Sequence, residues 1–326
     1  MTSQMLSRRQ FFIGAIASAA ALRASKVSAS APQPKTAVDF KVPLCACDSH
    51  THVFGDPARF PLSPARTYTP PIALPSELIK LHETLGIQRV VIVTASAYGT
   101  NNAATLQAVR TRSPHARGIV VIDDATSAYE LDSMDRAGAC GVRLFLAGAA
   151  ADPASARRQF EATLRHLEGR AWHIQIFTNP VIVRALHDLV RDSPVPVVFD
   201  HFGGARGELG VSQPGFDSLL ELVQTGKAYV KLSAAYRLST RAPDFQDMAP
   251  LARALIAANR DRILWASDWP HTNGDLPGKK PTDLFPFIPV DDAHLLNLLH
   301  AWVPDPLLRK HILVDNPSRL YGFTDG

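Results

Sequence analysis

Alternation constrains this chain more than any other feature. Eight short apolar runs of strand character fall at 45–50, 89–95, 118–123, 141–145, 173–177, 195–201, 229–233 and 263–268, and helical apolar spacing occupies 103–111, 160–167, 181–190, 216–223 and 248–258 between them. Strands separated by helices pair in parallel, because each connection crosses back over the sheet. Eight such units in about 280 residues predict a single-domain (β/α)8 TIM barrel, with an open doubly wound sheet as the alternative. No Gly-x-Gly-x-x-Gly follows the first strand and no phosphate-cradling loop is present, which weakens a nucleotide-binding reading. Two Pro-rich insertions, 53–75 and 272–291, follow strands 1 and 8 and are expected to form a lid over the C-terminal mouth of the barrel.

Polar residues gather where those strands end. Strand 1 closes on Asp48-Ser49-His50-Thr51-His52, and residues two apart on a strand share a face, so His50 and His52 point the same way. Two imidazoles on one face can hold a metal or polarise a carbonyl. His201 ends the apolar run of strand 6 before a glycine pair, as a mouth residue or a hydrogen-bonded turn histidine. Asp268 ends strand 8, where an unpaired carboxylate is costly, so it should have partners or a raised pKa and a chemical task. Arg143 interrupts apolar strand 4 and requires an anion, either a structural carboxylate or a ligand. A barrel would bring all of these strand ends around one mouth. No Gly-x-Ser-x-Gly elbow supports a serine esterase, and Cys45, Cys47 and Cys140 read as structural thiols, since strand alternation would place Cys47 and His50 on opposite faces. Three cysteines also exclude a disulfide framework and a four-cysteine zinc site.

The first 31 residues read as an address. They hold Arg8 and Arg9 followed by Phe11 and Phe12, an apolar run over 11–22, then Arg23, Lys26 and small residues up to Ala31, resembling a twin-arginine export signal with cleavage after Ala29 or Ala31. The apolar run is too short for a bilayer that needs ~20 residues. The expected destination is the periplasm or beyond, with the twin-arginine export machinery as a partner and no stable membrane association after cleavage. Residues 32–44 read as a linker or arm before the catalytic domain at 45–326. The segment 1–31 carries four basic residues and no acid, so removing it takes Lys+Arg from 34 to 30 against 30 Asp+Glu. A neutral folded part gives no support to nucleic-acid binding.

The combination Asp48-Ser49-His50-Thr51-His52-Val53-Phe54-Gly55, Phe60-Pro61, Tyr68-Thr69-Pro70, Asp200-His201-Phe202-Gly203, Ser267-Asp268-Trp269-Pro270-His271 and the C-terminal 314–323 resembles the amidohydrolase superfamily, and within it the 2-pyrone-4,6-dicarboxylate lactonase-like hydrolases. The resemblance spans roughly residues 45–323 and implies a lactone-opening ester hydrolase. It assigns His50, His52, His201 and Asp268 to catalysis, and Tyr68, Ser96, Arg143 and Arg237 to substrate binding. Two positions depart from the pattern. A second arginine expected shortly after Arg143 is absent from 146–150, and Phe177 stands where the branch has a tyrosine. Both departures point away from the dicarboxylate, toward a less charged or differently shaped lactone.

The same resemblance implies catalysis without a metal. Phe177 offers no ligand at the end of strand 5, Arg143 disfavours a nearby cation, and four ligands leave a tetrahedral zinc ion no open position. Mononuclear Zn2+ held by His50, His52, His201 and Asp268 is the alternative. In the expected mechanism the three imidazoles donate hydrogen bonds to the carbonyl oxygen while Asp268 activates water. A lactone isomerase or a decarboxylase on the same barrel is the rival enzyme, and a non-catalytic exported binding protein is the rival of another class.

Overall fold

A computed structural model describes residues 31–147, 152–274 and 276–324; nearly all of the expected export signal lies outside them. Eight parallel strands follow one another around a barrel in chain order: β1 (Cys47–Thr51), β2 (Arg89–Val93), β3 (Ala116–Val120), β4 (Ala139–Phe145), β5 (His173–Phe177), β6 (Val197–Phe199), β7 (Ala228–Leu232) and β8 (Ile263–Trp265). The last seam closes just beyond β8, where Asp268 N–H donates to His50 O at 3.0 Å and His52 N–H to Trp269 O at 2.8 Å. The barrel is therefore completed by the backbone of its candidate site residues.

The helices are α1 (Pro75–Leu85), α2 (Ala103–Thr111), α3 (Ala128–Arg136), α4 (Pro153–His166), α5 (Pro180–Ala185), α6 (His187–Arg191), α7 (Phe216–Gln224), α8 (Ala235–Leu238), α9 (Ala249–Ala258), α10 (Asp292–Trp302), α11 (Pro306–Lys310) and α12 (Asn316–Tyr321). Val90, Ile92, Val142, Ile174, Ile176, Val230 and Trp265 belong to the outer core that these helices cover. Cys47, Val91, Ile119, Val198, Tyr229 and Leu264 fill the barrel interior together with Tyr321 and Phe323. The segment after α12 thus plugs the N-terminal end, with Arg89 and Arg117 lying over the Phe323 ring.

Strand 1 breaks the alternation on which the cysteine reading rested. Its register with β2 shifts between Asp48 and Thr51, as a β-bulge does. Cys47 and His50 therefore both face the interior, whereas Asp48 meets His82 of α1 on the outside, at 3.2 Å. The phase slip corrects the expectation of opposite faces, and the thiol remains inert: burial first, then Asp48, push its pKa beyond the ordinary range. Residues 32–44 are no free linker. Trp269 Nε1 donates to Pro32 O at 2.7 Å, the Lys35 and Thr36 amides donate to Asp291, and Val38, Phe40 and Val42 pack on the core.

Candidate active site

The side chains of the site are aimed by strained backbone at the strand ends. His201, Phe202 and Asp268 have φ of 48°, 54° and 63°, in the left-handed region that non-glycine residues seldom occupy. That turn ends β6 two residues before the run expected from sequence. It also demands glycine at 204, where φ is 75° and a Cβ would collide with Thr178 O.

A cavity of about 520 Å³ opens at the mouth, lined by His52, His201, Asp268, Arg143, Arg237, Tyr68 and Ser96, with Phe145 and Phe177 on one side. The two Pro-rich insertions do form its rim. Thr67 and Tyr68 come from one, Thr272 and Gly274 from the other, and the loops are tied by Phe285 N–H donating to Thr69 O at 2.8 Å. Seven of the eight residues expected from sequence meet at this cavity. The eighth, His50, is fully buried and lies behind the lining.

Asp268 Oδ1 lies 3.7 Å from His50 Nε2, 3.6 Å from His52 Nε2 and 3.8 Å from His201 Nε2. Its other oxygen accepts from Tyr236 OH at 2.7 Å and Arg237 Nε at 3.0 Å. Burial opposes ionisation, but His201 and Arg237 overrule it and hold this carboxyl well below the usual carboxylate range. Asp268 is thus a paired, ionised carboxylate with one free edge.

Beneath it lies a second buried carboxylate. Asp200 Oδ1 is 3.0 Å from His50 Nδ1 and 3.2 Å from Lys231 Nζ, and its Oδ2 is 3.2 Å from both Nε and a terminal nitrogen of Arg143. Gln175 joins Lys231 Nζ at 2.6 Å and Asp200 Oδ2 at 3.2 Å. Burial brings the Lys231 ammonium down to about 8 while Asp200 holds it up, so it is charged at neutral pH. Sequence reasoning missed Asp200, Lys231, Gln175 and Tyr236. The signal that exposed Arg143, a polar residue inside an apolar strand, was equally present in His173-Ile-Gln-Ile-Phe177 and Ala228-Tyr-Val-Lys-Leu232.

These partners fix the imidazoles. A carbonyl only accepts, so His52 Nδ1 carries the proton donated to Val93 O at 2.7 Å, whereas His50 Nδ1 meets Asp200 Oδ1 at 3.0 Å together with two donors, Lys231 Nζ at 3.2 Å and Gln175 Nε2 at 3.3 Å. Burial keeps both rings neutral, His50 strongly so. Their Nε2 atoms lie 3.2 Å apart, at hydrogen-bond distance, and the His52 one is a lone pair when that ring is neutral. With its Nδ1 proton on Val93 O, a neutral His52 has no second N–H for a carbonyl, which departs from the expectation for that ring. His201 can turn an N–H to the cavity, because its Nδ1 meets Ser233 Oγ at 2.8 Å and a hydroxyl can donate as well as accept. Burial lowers the His201 pKa to about 4.

Imidazole nitrogens converging beside a carboxylate form a donor set that suits a divalent cation. His50, His201 and Asp268 offer ligand atoms within 4.8 Å of one another, His52 adds a fourth, and imidazole with carboxylate fits Zn2+. The electrostatic objection raised by Arg143 weakens as well, since its guanidinium is engaged by Asp200.

A histidine pair on strand 1, a histidine after strand 6 and an aspartate after strand 8, gathered at the mouth of an eightfold barrel, define a class of barrel hydrolases. The chain belongs to the amidohydrolase family, whose model matches residues 47–323. It is 34% identical to a 4-sulfomuconolactone hydrolase of Hydrogenophaga intermedia over 87% of this chain and 90% of that one. It is 32% identical to a 2-pyrone-4,6-dicarboxylate hydrolase of Comamonas testosteroni, covering 86% and 92%. The crystal structure of a Pseudomonas putida protein assigned as a 2-pyrone-4,6-dicarboxylic acid hydrolase superposes with a TM-score of 0.71 at 30% identity, covering 87% of this chain and all of that one.

Proposed function

We propose that this protein is a lactonase that opens the cyclic ester of a carboxylate-bearing small molecule with water. The observation that carries the reading is the convergence of Asp268, His52 and His201 with Arg143 and Arg237 on one cavity, in a chain whose relatives are lactone hydrolases.

Asp268 Oδ1 and the His52 Nε2 lone pair accept both hydrogens of a water molecule and aim its oxygen at the carbonyl carbon. Asp268 takes the proton as the C–O bond forms and hands it to the departing ring oxygen. Its low pKa makes it a weak reservoir, so the proton passes through rather than resting there. His201 turns its Nε2–H to the oxyanion when no metal is held, and the Ser233 hydroxyl fixes that tautomer. His50, clamped by Asp200, Lys231 and Gln175, positions His52 and Asp268 from below. Arg143, Arg237, Tyr68 and Ser96 orient the substrate's acidic group and ring. Zinc held by His50, His52, His201 and Asp268 would act as a Lewis acid on the carbonyl and lower the pKa of water.

A lactone panel in ¹⁸O-labelled water tests the reading: the hydroxy-acid product should carry one labelled oxygen. Unlabelled isomerised product would replace hydrolysis by isomerisation, and a ligand recovered unchanged would point to a binding protein. Elemental analysis before and after chelation decides the metal. Stoichiometric zinc whose loss abolishes turnover assigns the lone-pair cluster to the ion, and full turnover in zinc-free protein assigns it to water.

We also propose that the segment 1–31 directs export through the twin-arginine machinery, supported by its Arg-Arg-x-Phe-Phe order and apolar run. Replacing Arg8 and Arg9 with lysine should trap the protein in the cytoplasm, and undiminished export would remove the assignment.

A further inference from the structure

Asp268 sits on a loop that its own strand does not hold. Strand β8 ends at Trp265, and beyond it Asp268 and His271 have φ of 63° and 64°, a left-handed backbone that persists only where its surroundings over-determine it. Two bonds to β1 help to fix it, Asp268 N–H to His50 O and His52 N–H to Trp269 O, with Thr51 and Trp269 bridged in parallel. Trp269 therefore carries the peptide on which both the Asp268 loop and His52 lean. Its ring is fully buried in the outer core, and a buried indole N–H requires an acceptor. That acceptor comes from the far end of the chain: Nε1 donates to Pro32 O at 2.7 Å, in the N-terminal arm.

The arm is itself fixed on both sides of this contact. Ala31 N–H donates to Glu77 Oε1 at 3.2 Å and Gln33 Nε2 to Glu77 O at 3.1 Å, in the first turn of α1. Lys35 and Thr36 N–H donate to Asp291 at 3.2 and 2.9 Å, the residue that caps α10 through Ala293 N–H. Farther on, Asn297 accepts from Asp39 N–H at 3.0 Å and donates to Ala37 O at 2.9 Å. Helices α1 and α10 begin where the two Pro-rich insertions end. The arm thus runs from the root of one rim loop to the root of the other and meets Trp269 on the way. Among the described residues, none of the arm lines the cavity, so whatever it does for the reaction it does through Trp269 and the loop roots.

We infer that the N-terminal arm is a positioning element of the active site: the Pro32 carbonyl, through the indole of Trp269, holds Asp268 and His52 in register. The kinetic consequence rests on the lactonase reading, whereas the mechanical coupling does not. An arm that only added stability would lower Tm and leave each folded molecule fully active. A positioning arm lowers kcat in a fully folded population, because small displacements of a water-activating group cost turnover. Substrate binding through Arg143 on β4 stays near native.

Two variants of the full chain test this at 25 °C. Trp269→Phe keeps a buried ring and removes the N–H. The double variant Gln33→Ala, Asn297→Ala loosens the arm and leaves Trp269 intact, and it decides the matter if Trp269→Phe does not fold. The first readout is hydrogen exchange at the His52 and Asp268 amides, which should quicken tenfold or more in both variants. The second is turnover of the fastest member of the lactone panel: kcat should fall about tenfold in Trp269→Phe and about threefold in the double variant, with KM within twofold of native. The ring-opened hydroxy acid of that lactone should still bind one per chain by calorimetry, so the loss is not unfolding. Native exchange at both amides overturns the inference whatever the Tm does. Faster exchange with native kcat also overturns it and leaves the arm a support of the fold alone. Faster exchange in a protein that turns over no lactone sinks the lactonase reading and leaves the coupling of arm to Asp268 standing.

Discussion

The inner and outer faces of β1 and β8 each carry a buried aspartate–histidine cluster. Inside the barrel, Asp200 and Asp268 gather His50, His52 and His201. Outside, Asp48 accepts from Ser267 N–H at 3.0 Å and Ser267 Oγ at 2.5 Å and faces His82 at 3.2 Å, with His271 and Asp292 3.0 Å apart close by. Burial is nearly complete in both, so burial does not tell them apart. Partners and access do. Asp48 accepts from the Ser267 backbone N–H and hydroxyl just beyond β8, which makes it a seam joining β1 to the loop after β8. Asp268 turns one oxygen to a cavity, 3.6 to 3.8 Å from the Nε2 atoms of three histidines. Perturbed carboxylates mark candidate sites, and access to a cavity makes Asp268 the stronger candidate of the two.

The comparison breaks most readily at Asp268. Asp268→Asn keeps the shape and the Tyr236 contact but loses the proton acceptor, so kcat should fall by roughly 10²–10⁴ while the circular dichroism spectrum stays native. Near-native turnover would remove Asp268 from the reaction. The outer counterpart, Asp48→Asn, should do the reverse. Losing a charge-assisted acceptor for Ser267 and His82 costs about 1–3 kcal/mol, read as a lower Tm. The kcat should drop by no more than about tenfold, through slight displacement of His50. A variant with unchanged Tm and a collapsed kcat would move Asp48 into the catalytic machinery.

Much of this contrast was legible in the sequence, and the rest was hidden for identifiable reasons. The eight strands announced themselves because parallel barrel strands are buried on both faces and read as continuous apolar runs. Helix α3 buries only Leu131, so it shows no periodic stripe. Helix α10 buries seven residues around much of its circumference, because the N-terminal arm covers it, and a stripe that wide has no period either. Among the site residues, those at strand ends stood out, but Lys231 and Gln175 sit inside their strands, as Arg143 does, and there a lone polar side chain looks like a lapse in an apolar strand. The β1 bulge was illegible altogether. A one-residue slip leaves no mark in the composition, yet it decides that Asp48 faces out and His50 faces in.

Acid should separate the clusters by a smaller margin. His50, His52, His201 and His82 all have lowered pKa values, burial being the first cause in each. A histidine kept neutral in the folded state costs stability once the unfolded chain begins to protonate, near 6.5, and the cost grows until the folded ring titrates, about 4 for His201. Asp200 and Asp268, held low, contribute stability above the unfolded carboxylate value of about 3.8 and lose it as pH falls through their folded values, so they act only at the acid end. Asp292 has the opposite sign: burial raises its pKa, and its contribution, present below the unfolded value, is lost as pH rises through the folded one. The Tm should therefore decline from pH 6.5 toward 4, with inner and outer histidines contributing alike. His82→Gln retains a donor for Asp48 and cannot titrate, so it should flatten part of that decline while leaving the pH profile of kcat/KM where it was. If His82→Gln shifts the activity profile instead, the outer cluster communicates with the cavity around Asp268 and the division between seam and site fails.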